Sequence, residues 1–108
     1  MNEETKKKIE DLIKSREIFI FMKGSPDAPL CGFSMQASNA IKKFTDDFGF
    51  YNVLEDDEIR EAIKEYSDWP TLPQIYMEGE FVGGCDIVME MMGSGELEAK
   101  IENIKTTS

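Results

Sequence analysis

The 108 residues predict one α/β domain, a small mixed four-stranded sheet with helices on both faces. Three observations lead there. Segments of helical period alternate with short apolar runs rich in strand formers. The first two strand candidates are joined by a helix, which makes them parallel, and the last two by a two-residue turn, which makes them antiparallel. The chain is 41% hydrophobic and 31% charged, ordinary globular usage and far from the composition of a disordered chain.

Ile9, Leu12 and Ile13 recur at helical spacing among Lys and Glu and predict an amphipathic helix from about residue 3 to 15. Ile18 to Met22, IFIFM, is a buried strand bounded by Lys23-Gly24. A loop with two prolines, Gly24 to Leu30, leads into Cys31-Gly32-Phe33-Ser34, after which Ala37, Ala40, Ile41, Phe44 and Phe48 mark the inner face of a helix. Cys31 therefore stands where a helix begins. Phe50 to Leu54 is the second strand, and Ile59, Ala62, Ile63 and Tyr66 define a helix capped by the acidic run Glu55 to Glu58. Beyond Trp69-Pro70-Thr71-Leu72-Pro73, the runs QIYM and EFV flank Glu78-Gly79 and read as a hairpin, which Gly83-Gly84 ends. Ile87, Val88, Met91 and Met92 predict a helix from near Cys85. Leu97, Ile101 and Ile104 continue it after Gly93-Ser94-Gly95, so the last helix is split, and Lys105 to Ser108 form a short polar tail. The order αβαβαββα, with a right-handed crossover, is the layout of a thioredoxin-like fold.

Twelve Lys and Arg against 22 Asp and Glu give a net charge of -10, which excludes a general nucleic-acid binder. No apolar run approaches the ~18 residues of a membrane span. The N-terminal stretch MNEETKKKIEDLIKS lacks the apolar core of a signal peptide and the Arg-rich, acid-poor composition of a transit peptide, so a cytoplasmic location is expected. With two cysteines and no histidine, one copy of the chain builds neither a four-cysteine nor a two-cysteine, two-histidine zinc site. Histidine acid–base chemistry is excluded.

Cys31 is the sharpest candidate for chemistry. At a helix start its sulfur lies near unpaired N–H groups and the positive end of the dipole, which favour the thiolate. A dipole contribution of about 0.3 to 2 kcal/mol brings a thiol near about 8.5 toward neutrality, and Lys23 pushes the same way. Three residues on stands Ser34, which cannot resolve a mixed disulfide as a second thiol would. One thiolate remains, able to form a mixed disulfide with an external thiol or to ligate a metal centre. An iron–sulfur cluster usually takes four thiolates, so the missing ligands must come from a second chain or from small thiols.

These residues resemble the monothiol glutaredoxins of the C-G-F-S class. The similarity is carried by Lys23-Gly24-Ser25-Pro26 through Cys31-Gly32-Phe33-Ser34, by Ile59-Arg60, by Trp69-Pro70-Thr71-Leu72-Pro73-Gln74 and by Gly83-Gly84-Cys85-Asp86-Ile87. It implies a single thioredoxin-fold domain over residues 1–108 that binds glutathione and shares a 2Fe–2S cluster between two subunits, with one cysteine per chain and two glutathiones. Cys31 becomes the cluster ligand and the redox-active centre, and Lys23, Arg60, Leu72, Cys85 and Asp86 become glutathione contacts. Lys23 and Arg60 suit the glycyl carboxylate, with Lys64 adding field one helical turn on. Pro73 resembles the family's cis-proline, which presents the backbone of Leu72 to the cysteinyl part of the tripeptide. The helix from Cys85 receives the γ-glutamyl carboxylate, and Asp86 its ammonium.

The resemblance also implies a homodimer, or a pair with a BolA-like partner, that delivers clusters to client proteins. The alternative is a glutathione-dependent oxidoreductase that removes glutathione from protein mixed disulfides with Cys31 as nucleophile. Cys85 has three open roles: a backbone contact, which is favoured, a disulfide with Cys31, and helix packing. Phe33 stands between covering the site and filling the core. Trp69 is read as structural and Met89, Met91 and Met92 as packing. Leu30 is apolar where many family members carry a basic residue.

Overall fold

All five residues of the strand β1 (Ile18–Met22) are buried because helices cover both of its faces. The computed structural model describes residues 1–107. Alternation along β1 divides the core: Ile18, Ile20 and Met22 point to one side with Ile75 and Met77, whereas Phe19 and Phe21 point to the other with Tyr76. The first side packs on α2 (Gly32–Lys42), α4 (Cys85–Ser94) and α5 (Glu96–Thr107). The second packs on α1 (Glu3–Lys14) and α3 (Asp57–Ser67), where Phe21 meets Tyr76 edge-on at 5.7 Å.

The sheet runs in the order β2-β1-β3-β4, with β2 (Gly49–Asn52), β3 (Gln74–Met77) and β4 (Glu80–Gly83). β1 pairs parallel with β2 and antiparallel with β3, and β3 pairs antiparallel with β4, so the sheet is mixed as expected. The hairpin turn takes positive φ at both Glu78 (53°) and Gly79 (82°), the combination whose twist matches that of the flanking strands.

The structure corrects three boundaries. α2 stops at Lys42, so Phe44 and Phe48 reach the core from the connection rather than from the helix, where the Asp47 N–H donates to Thr45 Oγ1 at 3.0 Å. β2 ends at Asn52 instead of Leu54. The Asn52 side chain accepts from the N–H groups of Leu54 (3.0 Å) and Gly24 (2.9 Å), which bends the chain into a 3-10 turn over Val53–Glu55 and ties it to the end of β1. The segment read as a polar tail is helical through Thr107, and Lys105 Nζ donates to the Phe44 carbonyl at 2.8 Å; Ser108 lies outside the described residues. The split between α4 and α5 falls at Gly95, with φ 86°.

The acidic run does cap α3, through one residue. Asp56 Oδ1 accepts from the Ile59 N–H at 3.1 Å, while Oδ2 accepts from Tyr51 Oη at 2.7 Å and Lys8 Nζ at 3.0 Å. α3 is thereby fixed to β2 and to α1. This matters for the site because α3 carries Arg60 and Lys64.

Candidate functional site

A groove of about 510 Å³ opens where the end of β1, the N-termini of α2 and α4, one polar side of α3 and the loop before β3 converge. Every site residue proposed from the sequence lines it: Lys23, Cys31, Arg60, Leu72, Cys85 and Asp86. Lys64, expected to act only through its field, also lines the wall.

Cys31 is the N-cap of α2, with extended backbone (φ -151°, ψ 136°), and its thiol is free and partly exposed. The sulfur completes no cap hydrogen bond of strict geometry. Its pKa is nevertheless lowered, chiefly by the Ser34 backbone N–H against the opposing effect of burial, then by the Phe33 N–H, the Lys23 charge and the Ser34 hydroxyl. The shift is toward the thiolate, as a helix start predicts. Ser34 itself is fully buried, and its Oγ accepts from the Lys23 N–H at 3.0 Å. That bond joins the two lips of the groove. The proline loop is held equally firmly. Gly24 has φ 91°, and a Cβ there would sit 2.6 Å from the Ala28 oxygen and 2.7 Å from the Leu30 nitrogen. Lys42 Nζ donates to the Pro26 carbonyl at 2.8 Å.

One wall of the groove is cationic. Lys23, Arg60 and Lys64 face it, accompanied by the single carboxylate of Glu61. Arg60 pairs with Asp57 at 3.5 Å and with Glu61 at 3.6 Å, contacts longer than ordinary hydrogen bonds, and its buried Nε has no hydrogen-bond partner. Lys64 Nζ approaches Glu61 Oε2 at 3.3 Å. The guanidinium is thus held in place with donor capacity to spare, a setting suited to a carboxylate.

The opposite end is the start of α4. Gly84 is its N-cap and offers no side chain to occupy the first N–H groups, and Asp86 follows in the first turn. A Cβ on Gly84 would lie 3.3 Å from both the Pro73 oxygen and Trp69 Nε1, so glycine keeps this floor open. Between the two ends the Leu72–Pro73 bond is cis, as the resemblance implies, and Leu72 is buried while lining the groove. Cys85 is a free, buried thiol 3.5 Å from Gln36 Oε1. Burial, then the Asp86 and Cys31 charges, push its pKa up, so it stays protonated where Cys31 ionises.

Other positions resolve what the sequence left open. Phe33 is 61% exposed and lines the groove, so it covers the site and does not fill the core. Trp69 packs against Phe81 with rings tilted and centroids 5.7 Å apart, and also forms part of the wall, a double role beyond the structural one expected. Thr71, Glu61 and the acceptor role of Ser34 were not anticipated. Glu61 had a usable signal, since it stands three residues before Lys64 on the α3 surface. Among the described residues, no three His, Cys, Asp or Glu side chains gather in a metal-binding group, and no helix is long and apolar enough to cross a membrane.

Comparison with known proteins matches the glutaredoxin family model over residues 18–82. The uncharacterized monothiol glutaredoxin ycf64 of Porphyra purpurea is 47% identical, with 96% of this chain and 97% of that protein covered. Mitochondrial monothiol glutaredoxin-5 of Saccharomyces cerevisiae is 48% identical over 94% of this chain and 70% of its own length. The solution structure of reduced poplar apo GrxS14 superposes with a TM-score of 0.79 at 43% identity, covering 91% of this chain and 90% of that one.

Proposed function

The chain belongs to the monothiol glutaredoxins, and we propose that it binds glutathione and, paired with a second subunit, holds a 2Fe–2S cluster for transfer to client proteins. The observation that carries this reading is the polarity of the groove around one sulfur. Cations stand at one end, a helix N-terminus and a carboxylate at the other, and a thiolate-biased cysteine lies at the mouth. Glutathione has the complementary order: a glycyl carboxylate, a central thiol, and a γ-glutamyl head bearing both charges. Lys23 and Arg60 receive the glycyl carboxylate, Leu72 pairs backbone to backbone with the cysteinyl residue, and Cys85 and Asp86 hold the head group, Cys85 through its N–H and Asp86 through its carboxylate.

The donor set fits a shared cluster. Of two cysteines only Cys31 is exposed and biased to thiolate, so each chain offers one ligand of the usual four. Two chains leave two positions, which two bound glutathione thiolates fill. Ligands that exchange with solvent suit a cargo that must be released. The second subunit is another copy of this chain or a BolA-like partner, and exposed Leu30 and Phe33 beside Cys31 provide apolar surface for the contact. A relative 48% identical to this chain is named as mitochondrial, and the cytoplasm is the proposed location of this chain.

Protein purified without oxygen and reconstituted with iron, sulfide and glutathione should show visible absorption and the mass of a pair. Both should be lost in Cys31→Ser. An unchanged spectrum in that variant refutes the assignment.

The lowered pKa of Cys31 favours a second activity at the same site. The Cys31 thiolate attacks the glutathione sulfur of a protein–glutathione disulfide, the protein thiolate leaves and takes up a proton, and Cys31 is left joined to glutathione. The thiolate of an external glutathione then attacks that sulfur, releasing glutathione disulfide and restoring Cys31. Cys85, buried and held protonated, takes no part. Turnover in a mixed-disulfide assay that rises with glutathione concentration supports this step, and turnover retained in Cys31→Ser excludes it.

A further inference from the structure

The cationic wall carries its own competitor. Glu61 is the only carboxylate on that wall, and through Oε2 it reaches both Arg60 Nε (3.6 Å) and Lys64 Nζ (3.3 Å). Neither contact is tight. The Arg60 distance exceeds hydrogen-bond length, and the buried Nε is left without a partner. The Glu61 side chain is 67% exposed, so it can turn to solvent at little cost, whereas the Arg60 and Lys64 side chains are 36% and 32% exposed and stay with the groove. Asp57, the other anion near Arg60, lies outside the groove wall and does not compete for the same space.

We propose that Glu61 is a specificity-determining residue, a built-in carboxylate that occupies the Arg60–Lys64 pair in the free chain and must give way to the terminal carboxylate of the ligand. This rests on the glutathione reading above and deepens it. The cations are kept paired while the groove is empty, which lowers affinity for any anion that lacks the groove's other contacts. A simple carboxylate exchanges one exposed ion pair for another and gains nothing; a tripeptide that also engages Leu72 and the α4 N-terminus does gain. Glu61 thus weakens binding of the correct ligand modestly and raises the threshold for wrong ones.

Neutralising Glu61 therefore has an effect confined to ligands with the terminal carboxylate. Reduced glutathione and its C-terminal amide, γ-glutamylcysteinylglycinamide, which lacks only the charge of the terminal carboxylate, are titrated without oxygen into the reduced full chain and into Glu61→Gln, with binding followed by amide chemical shifts. An exposed pair of this kind is worth about a 1.5- to 5-fold change in Kd. Glu61→Gln should tighten glutathione by that factor and leave the glutathione amide unchanged, and 0.5 M salt, about a 4 Å screening length, should erase most of the gain. Glu98→Gln, which removes one negative charge on α5 away from the groove, serves as the control for net charge and should change neither ligand. Equal tightening of both ligands, or none of either, overturns the proposal while leaving glutathione binding intact. If neither ligand shifts any groove resonance in the unaltered chain, the glutathione reading fails and takes this inference with it.

Discussion

Replacing Asp56 with Asn should cost the protein stability at neutral pH and progressively less in acid. The carboxylate is bonded by Tyr51 Oη, Lys8 Nζ and the Ile59 N–H, at 2.7, 3.0 and 3.1 Å. The Tyr51 hydroxyl first, then the Ile59 N–H and Lys8, pull its pKa from 3.8 down to about 2 against the opposing effect of partial burial. Taken at face value, that depression is worth about 2.5 kcal/mol at pH 7. Lys8 is 51% exposed and Asp56 21%, so solvent screening reduces the figure to about 1 to 2 kcal/mol. Because the folded pKa lies below the unfolded one, the stabilisation is complete above about pH 5. About half is gone by pH 3, and it vanishes below about pH 2. Asn retains a helix-capping oxygen for the Ile59 N–H but turns an NH2 toward Tyr51 and Lys8, so the charge and the two side-chain bonds to Oδ2 are lost together. Urea unfolding followed by circular dichroism at pH 7 and at pH 3 reads the difference directly, and a thermal midpoint lower by about 4 to 8 °C should accompany it at pH 7. A deficit as large at pH 3 as at pH 7, or none at pH 7, refutes the reasoning.

Ser34→Ala strips the part-buried Lys23 N–H of its acceptor, at a cost of about 0.5 to 1.5 kcal/mol in a urea melt. It should also move the pH profile of Cys31 alkylation upward, modestly, because the Ser34 backbone N–H remains; a profile that stays put would separate the hydroxyl from the thiolate. Gly84→Ala places a methyl group 3.3 Å from the Pro73 carbonyl, which is backbone and cannot swing aside. A loss of about 1 to 3 kcal/mol with weaker glutathione binding is expected, and an unchanged unfolding midpoint and titration would count against a closely fitted floor.

Patterns of different physical range were legible to different degrees. The unbroken apolar run IFIFM and the helical spacing of Ile59, Ala62 and Ile63 report burial directly, and all these residues are in the core. Boundaries failed where a side chain redirected the backbone, because one acceptor, Asn52 Oδ1, serves both Leu54 and a glycine from a distant loop, Gly24, and no local pattern encodes that. Phe44 and Phe48 misled for a related reason. Their apolar spacing is helical, yet they meet the core after the helix has ended. The groove residues were legible through motif resemblance more than through periodicity, since Lys23 follows β1, Arg60 lies on α3 and Asp86 on α4, and they look like ordinary surface charges one at a time.

Ser34 shows how far a motif can be read without its surroundings. In the sequence it signifies a lack, the position where a resolving thiol does not occur, and the single-thiol chemistry follows from that alone. In the fold the same residue has a positive task. Its oxygen, with no exposure to solvent, accepts the N–H of Lys23, the residue that leaves β1 and turns toward the groove, while its backbone N–H is the largest influence lowering the Cys31 pKa. One residue thereby couples a cation of the groove wall to the sulfur at its mouth. A substitution at Ser34 changes the spacing and charge of both ends together, so the choice of one thiol and the shape of its cradle are a single structural property rather than two.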